Sequence, residues 1–480
     1  MIEKTTGAMA EFGTPASPNR GGPVAGLVLL YAENYQELPS VWVLDQEHMT
    51  IGRDEGTNIR MSVNAVSRVH AELSWVDGAW VLRDRGSRNG TLVDGRRIDT
   101  AVLEPLNEVR IGDAILKFVD KHAEAYADYR IDGSMLNGAV RRGPSDGAMV
   151  GGYQIDRIAA DLTRIAPTPL SVMLLGESGT GKEVVARELH RLSGRRGAFA
   201  AVNCAAIPAT LIESELFGYK RGAFSGAERD KPGLIKSAHE GTLLLDEIGD
   251  MPLEAQAKLL RVLQAREVFP LGATAPERVD VRVICATHRD LWRLQQGGAF
   301  RQDLFARLNE YQLRLPALRD RKEDVFMLVR AFLARHGRAE LSPSFGFMTA
   351  ALQYDWPYNV RELEACMKRC VALSEGPVLG DQLLPAPVIE AMEEYGEVTR
   401  AVPPGGALRP GGGAPAGSVP PPAGAGPARG IPTDVELRSL LEQHQGNVAA
   451  VGRQLGKARM QVHRWMKRYG IHVDDFRRGS

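Results

Sequence analysis

The feature that most constrains this chain is the octapeptide GESGTGKE, Gly176 to Glu183, entered from the apolar pair Leu174-Leu175 and left into a helical pattern. It fits the GxxxxGK loop between a strand and a helix. There, glycines let backbone N–H groups turn inward around phosphate oxygens, and the lysine, here Lys182, reaches the β and γ phosphates. Gly176, Glu177, Ser178, Gly179, Thr180, Gly181, Lys182 and Glu183 are therefore candidate nucleotide ligands. Glu183 stands where Ser or Thr is usual, so magnesium must lean on a separate acid and on water. LLLDE, Leu243 to Glu247, supplies that acid at the end of an apolar strand. Asp246 is expected to hold the water shell of Mg²⁺ and Glu247 to polarise the attacking water. The order and spacing of the two motifs point to ATP and Mg²⁺ as cofactors.

Around these motifs the apolar runs SVMLLG, TLLLDEI and VRVICAT alternate with helical patterns, the rhythm of a parallel sheet. An α/β core with a helical lid is expected over 149–385. Before it, 26–120 is short-period and β-rich, with Asp77-Gly78 and Asp94-Gly95 each between strand-like runs, which indicates a β-sandwich. Residues 1–25 read as a disordered tail and 121–148 as a polar linker. Residues 386–430 read as a second linker, because Ala401 to Gly430 is dominated by Gly, Pro and Ala, with Arg409 and Arg429 its only charges. Residues 431–480 return to helical periodicity. A length of 480 residues suits about three such domains. Four irregularly spaced cysteines do not make a disulfide framework, and together with the lack of a signal peptide or membrane-length apolar run they favour a reducing cytoplasm without membrane contact.

From Gly176 to Leu363 the chain resembles the AAA+ domain of sigma-54-dependent activators, most densely in NCAAIPATLIESELFGYKRGAFSGA, Asn203 to Ala227. The resemblance implies an ATPase. It also implies that the loop Gly222, Ala223, Phe224, Ser225, Gly226 and Ala227 contacts the sigma factor, with Ser225 in place of the family's Thr. Asn203 would hydrogen-bond Glu247 and so report on the γ phosphate. In VRVICATHRDL, His288 replaces the usual sensor Asn. FRQDLFARL brings Arg301 and Arg307 as arginine fingers acting on a neighbouring subunit, which would make assembly from dimer to hexamer obligatory. WPYNVREL places Arg361 against the phosphates; Tyr358 stands where Gly is more common.

The β-rich region carries IGRDEGTNI, SRVHAEL and DRGSRNGTLVDG in an order similar to forkhead-associated domains. The likeness implies phosphothreonine recognition, with Arg53, Ser67 and Arg68 on the phosphate, Arg88 and Asn89 on the peptide, and His70 as a buttress. Input would then come from a Ser/Thr kinase. A generic dimerisation sandwich would share the strand pattern.

GNVAAVGRQLGKARMQVHRWMKRYGI, Gly446 to Ile471, resembles a Fis-type helix-turn-helix, with six basic residues and no acidic one between Val451 and Gly470. That cluster supplies the charge hidden by a formal net charge of zero. Arg459, Gln461 and Arg464 would read bases, and Lys457, Lys467 and Arg468 would hold phosphates, while Val448, Val451, Leu455, Val462 and Met466 form a core. The whole reads as an enhancer-binding ATPase that remodels sigma-54 RNA polymerase holoenzyme. Two other readings stay in play: a phosphopeptide-dependent DNA-binding adaptor whose ATPase is impaired by His288, and an AAA+ remodeller of another target.

Overall fold

A computed structural model describes residues 24–134, 149–392 and 432–455, together with Val462, Trp465, Met466, Tyr469, Gly470, Ile471 and Phe476. It divides into two compact units, the second formed chiefly by the C-terminal helices.

The first unit opens with a β-sandwich. One sheet orders its strands as Val41–Val43, Gly26–Tyr31, Ala114–Val119, Glu108–Ile111, Thr91–Val93 and Arg96–Ile98; the other as Ile59–Arg60, His48–Gly52, Ala71–Val76, Ala79–Asp84 and Thr100–Val102. Asp77 and Gly78 both take positive φ (49° and 80°), the backbone that a two-residue hairpin needs to match strand twist. Val76 pairs with Ala79 across that turn. In Ala71–Val76 the alternate residues Ala71 and Leu73 are buried, the period-2 pattern of a half-covered sheet. Gly26–Tyr31 and Ala114–Val119 are instead buried at every position, so both faces of this strand pair are covered. What covers the outer face is the stretch read as a linker and, beyond it, the lid. Ala123 and Tyr126 of the short helix Ala123–Tyr126 are buried against Val28, Val41 and Val119.

The α/β core follows. Its sheet runs Phe199–Asn203, Thr242–Asp246, Arg282–Thr287, Val172–Leu175 and Tyr311–Arg314, and every neighbouring pair is parallel. Because both faces are covered, the strands are near-continuous apolar runs, as Val283 to Ala286 illustrate. Helices Tyr153–Ile165 and Lys182–Ser193 pack on one face, and Ala209–Phe217, Leu253–Ala265 and Gln302–Leu308 on the other. The lid comprises helices Val325–Arg335, Phe345–Gln353 and Asn359–Leu373 and continues through helical residues 386–392, where Val388 is buried. Packed structure thus extends past the expected boundary at 385. A single hydrophobic cluster links sandwich residues such as Leu29 and Tyr31 to lid residues such as Phe326 and Phe347. All four cysteines are free and buried, with the Cys366 and Cys370 sulfurs 4.0 Å apart.

In the second unit, helix Asp434–Gln443 starts at a capping box: Thr433 Oγ1 accepts the Glu436 N–H (3.3 Å) and Glu436 Oε2 accepts the Thr433 N–H (2.9 Å). Helix Val448–Leu455 follows. Leu437, Leu441, Val448, Val451, Val462, Trp465, Met466 and Ile471 form its core, with Leu455 packed at the edge.

Candidate functional site

Ligands of parallel α/β sheets bind beyond the carboxyl ends of the strands. Three strand ends meet there: Leu175 leads into Gly176, Thr242–Asp246 ends at the two carboxylates, and Arg282–Thr287 delivers His288. Gly179 and Gly181 take positive φ (79° and 104°), which turns the loop back on itself before helix Lys182–Ser193 begins. Buried Lys182 donates through Nζ to the Gly176 carbonyl (2.9 Å) and the Glu177 carbonyl (3.2 Å) and lies 3.8 Å from Glu247 Oε1. Glu183 points elsewhere, accepting from Arg187 at 2.6 Å along its own helix.

Glu247 sits at φ 51°, a left-handed backbone that costs a non-glycine residue energy and recurs at functional sites. Its Oε2 accepts from His288 Nδ1 at 2.8 Å. The two neighbouring carboxyls are driven apart. Burial and the adjacent Glu247 charge raise Asp246 above the ordinary carboxylate range, against the pull of Lys182. Burial also pushes Glu247 upward, but the His288 hydrogen bond and the charges of Lys182 and His288 outweigh it and leave Glu247 below that range. Such a split separates the roles of adjacent acids. Asn203 does not join them as expected. Its Oδ1 accepts the Ala205 N–H (2.9 Å), and the strand register pairs its backbone with Asp246, so its amide closes a local turn while Glu247 is taken by His288.

Arg361 reaches the loop, with Nη1 3.2 Å from Ser178 Oγ. Around it lie contacts that the sequence did not signal. Asn359, at φ 54°, donates to the Ser178 carbonyl (3.0 Å) and Glu177 Oε2 (3.2 Å) while accepting the Leu318 N–H (2.8 Å). Arg319 forms a two-pronged pair with Glu177, and Arg321 donates to the Thr180 carbonyl at 3.3 Å. Gly179 permits this close approach, since a Cβ there would stand 2.0 Å from the Tyr358 carbonyl oxygen. The WPYN motif and the arginines after Pro316 were the available signal, but their partners are set by lid docking.

The loop Gly222 to Ala227 caps the hairpin of Gly218–Tyr219 with Lys231–Pro232. Gly222 and Gly226 take φ of 81° and 101°, and the Gly222 N–H donates to the Ala227 carbonyl at 2.8 Å, which closes the tip. Phe224 is 46% exposed and stacks edge-on against Tyr219, with centroids 4.9 Å apart. Ala223 packs on Gly272, Ala227 is buried, and Ser225 is exposed. Arg301 stands at the N-cap of helix Gln302–Leu308 and Arg307 in its last turn, and both are exposed. Arg301 is paired with Asp303 (2.7 Å), whereas Arg307 has no ion pair among the described residues.

On the sandwich, three loops bring Arg53, Ser67, Arg68, Arg88 and Asn89 together. Gly52 lets the backbones approach, since a Cβ there would meet the Arg68 carbonyl at 2.0 Å. The Arg53 N–H donates to the Ser67 carbonyl (3.1 Å), the Arg88 N–H to Ser67 Oγ (3.1 Å), and Asn89 Nδ2 to the Ala65 carbonyl (2.7 Å). The guanidiniums of Arg53, Arg68 and Arg88 belong to exposed residues, a cationic rim suited to a phosphate. Fully buried His70 underlies them: Nδ1 accepts the Ser67 N–H (3.1 Å), so Nε2 carries the proton toward the Gly90 carbonyl (3.2 Å). Burial lowers its pKa, which keeps this tautomer neutral. Lys457, Arg459, Gln461, Arg464, Lys467 and Arg468 lie outside the described residues.

With this geometry in view, the chain matches the sigma-54 interaction domain over residues 150–314, the FHA domain over 49–112 and the AAA+ ATPase lid domain over 319–400. It is 52% identical to the putative uric acid sigma-54-dependent transcriptional regulator UacR of Escherichia coli K12, over 47% of this chain and 39% of that protein. It is 38% identical to the transcriptional regulatory protein GlrR of Escherichia coli K12, over 67% of each. A crystal structure of NtrX from Brucella abortus in complex with ATP is 28% identical, with a TM-score of 0.48, over 68% of this chain and 70% of its own. Joined to a phosphate loop, paired acids and lid contacts in one pocket, the matching domain families and the identity to GlrR show that the chain belongs to the sigma-54-dependent transcriptional regulators, carrying an AAA+ ATPase domain with an FHA domain before it.

Proposed function

We propose that this protein hydrolyses ATP in an oligomeric ring to remodel sigma-54 RNA polymerase into an open complex, under control of phosphothreonine recognition by its FHA domain. The observation that carries the reading is the convergence of Lys182, Asp246, Glu247 and His288 at the carboxyl ends of the inner strands, with Arg361 reaching the same loop from the lid. Lys182 would exchange its loop carbonyls for the β and γ phosphates of ATP. Glu247, kept ionised beside His288, would accept a proton from the attacking water. Asp246 is the one carboxylate left for a cation, since Glu183 is engaged with Arg187, and no group of three metal-binding side chains exists among the described residues. That donor set suits Mg²⁺ held by Asp246 through water, where the ion would supply positive charge against the phosphates. Arg301 and Arg307 would act on the pocket of a neighbouring subunit. The exposed tip at Phe224 and Ser225, on a short hairpin, suits a contact to the sigma factor that moves with nucleotide state.

At the sandwich, Arg53, Ser67 and Arg68 would bind the phosphate and Arg88 and Asn89 the peptide. In the C-terminal unit, Arg459, Gln461 and Arg464 would read enhancer DNA and Lys457, Lys467 and Arg468 would hold its backbone, with a dimer matching two half-sites.

The test is ATP-dependent open-complex formation by sigma-54 RNA polymerase on a supercoiled promoter, using the full chain. Opening by the wild type, and fewer open complexes per ATP hydrolysed by Ser225→Ala, are expected. Robust hydrolysis without opening would assign the ATPase to another target, and no hydrolysis at any protein concentration would leave a phosphopeptide-dependent adaptor.

A further inference from the structure

Between the last core strand, Tyr311–Arg314, and the first lid helix, Val325–Arg335, the chain makes two short turns, Leu318–Asp320 and Lys322–Asp324. They contain six consecutive charged residues, Arg319 to Asp324. Arg321, Lys322, Glu323 and Asp324 are all buried. Their partners differ by body. Arg319 and Arg321 hold Glu177 and the Thr180 carbonyl of the phosphate loop. Lys322 pairs with Glu108 at 3.3 Å and Glu323 pairs with Lys117; both partners are buried residues of the sandwich. Asp324 accepts the Gly152 N–H at 2.6 Å, at the start of the α/β core. Glu108 also accepts from Gln353 of the lid. One hinge segment is thus anchored to the nucleotide loop on one side and to the sandwich on the other.

The second half of the path lies along strand Glu108–Ile111. Two residues beyond Glu108, the Arg110 guanidinium lies 5.0 Å over the Phe345 ring of the lid, and its Nε donates to the Gly112 carbonyl at 3.1 Å. Gly112 packs so closely on Ala65 that a Cβ there would meet the Ala65 carbonyl carbon at 2.8 Å. The Ala65 carbonyl is what Asn89 holds at 2.7 Å. The strand that grips the hinge therefore ends against the loop carrying the candidate phosphopeptide residues.

Ion pairs out of water persist only while both partners stay in place, because losing one leaves a buried charge unpaired. Displacement of the sandwich must either drag the hinge with it or break two such pairs. We propose that the sandwich is docked in cis on the hinge and lid as a coupling element, with Glu108 and Lys117 as positioning residues for the nucleotide loop. Phosphopeptide on its loops and nucleotide on Gly176 to Lys182 then change each other's affinity through Arg319–Asp324. The inference rests on the two binding readings above, and linkage requires the coupling to be reciprocal.

Contacts along a path become coupling only through energetics, so the test is a charge-reversal cycle in the full chain. Affinity for a fluorescent ADP analogue with Mg²⁺ is measured in wild type, Lys117→Glu, Glu323→Lys and the double variant. Each single reversal is expected to shift Kd by about fivefold or more, and the double variant, with the pair restored in reverse, to return toward wild type. Folded single variants with unchanged Kd, or a double variant no better than either single, would overturn the proposal. Should the reversals fail to fold, the isosteric Glu108→Gln serves instead: a shifted Kd supports coupling, and an unchanged one removes it. A second readout needs no variant. Amide exchange at Glu108–Ile111 is expected to slow when Mg²⁺ and ADP saturate the pocket, and identical exchange would count against transmission. Wild type that binds no ADP analogue would sink the ATP-site reading itself, which separates the two failures.

Discussion

The proposed chemistry turns on two adjacent carboxyls whose surroundings pull them in opposite directions. Asp246 is raised by burial and by the charge of Glu247, while Glu247, although also buried, is held down chiefly by the hydrogen bond from His288 and by the charge of Lys182. A base must be deprotonated to act, so a depressed Glu247 extends activity toward acid. In His288→Ala that hydrogen bond is gone and Glu247 moves back up. The acidic limb of kcat/KM against pH is therefore expected to shift to higher pH, and a limb that stays in place would disconnect His288 from the base. Glu247→Gln separates binding from chemistry. It keeps the shape and loses the acceptor charge, so hydrolysis is expected to fall by about 10² to 10⁴ in single-turnover measurements, a typical worth for a positioned base. ATP affinity should change far less; a parallel loss of affinity would give Glu247 a binding role instead.

Elements were legible where the determinants are local. The phosphate loop, the acidic strand end and the Asp77-Gly78 hairpin declare themselves because glycine spacing and alternation act within a few residues. Arg319 to Asp324 could not be read in this way. A run of six charges looks like a solvated stretch, yet four of them are buried, because the sandwich and phosphate loop bring Glu108, Lys117 and the Thr180 carbonyl to meet them. Asn203 failed for the same reason: the family motif identified it, but its partner is set by the strand register and by a histidine from a neighbouring strand. The hinge carries its own signature in pH. Burial pushes the Asp324 carboxyl up to about 6 despite Arg321 and Lys117, with Glu323 adding to the rise. Since the folded value lies above the unfolded one, this group's contribution to stability is complete below about pH 4 and is lost as pH rises through about 6. Asp324→Asn keeps an acceptor for the Gly152 N–H and removes the titration. The melting-temperature difference between wild type and this variant is expected to vary across that window and to level off above it, as thermal melts at several pH values would reveal; a constant difference would exclude Asp324 as the source.

At the scale of the molecule, the proposed reaction takes a cation from a neighbouring chain. Arg361 and Lys182 come from within, but Arg301 and Arg307 face solvent, with Arg301 engaged by Asp303 and Arg307 in no ion pair among the described residues. A planar cation on the transferring phosphoryl is typically worth about 10³ to 10⁵ in rate, so a chain that withholds it should be nearly inactive alone. If neighbours supply it, two dead variants must repair each other. Lys182→Ala lacks a working pocket but presents Arg307; Arg307→Ala keeps its pocket but presents no cation. Each is expected to be inactive by itself, while a mixture regains ATPase because an intact pocket can face an intact arginine, and the regained rate should climb with protein concentration as mixed assemblies form. A mixture no more active than the sum of its parts, at concentrations where wild type is fully active, would place Arg307 outside the reaction and require the missing charge to come from the pocket's own subunit.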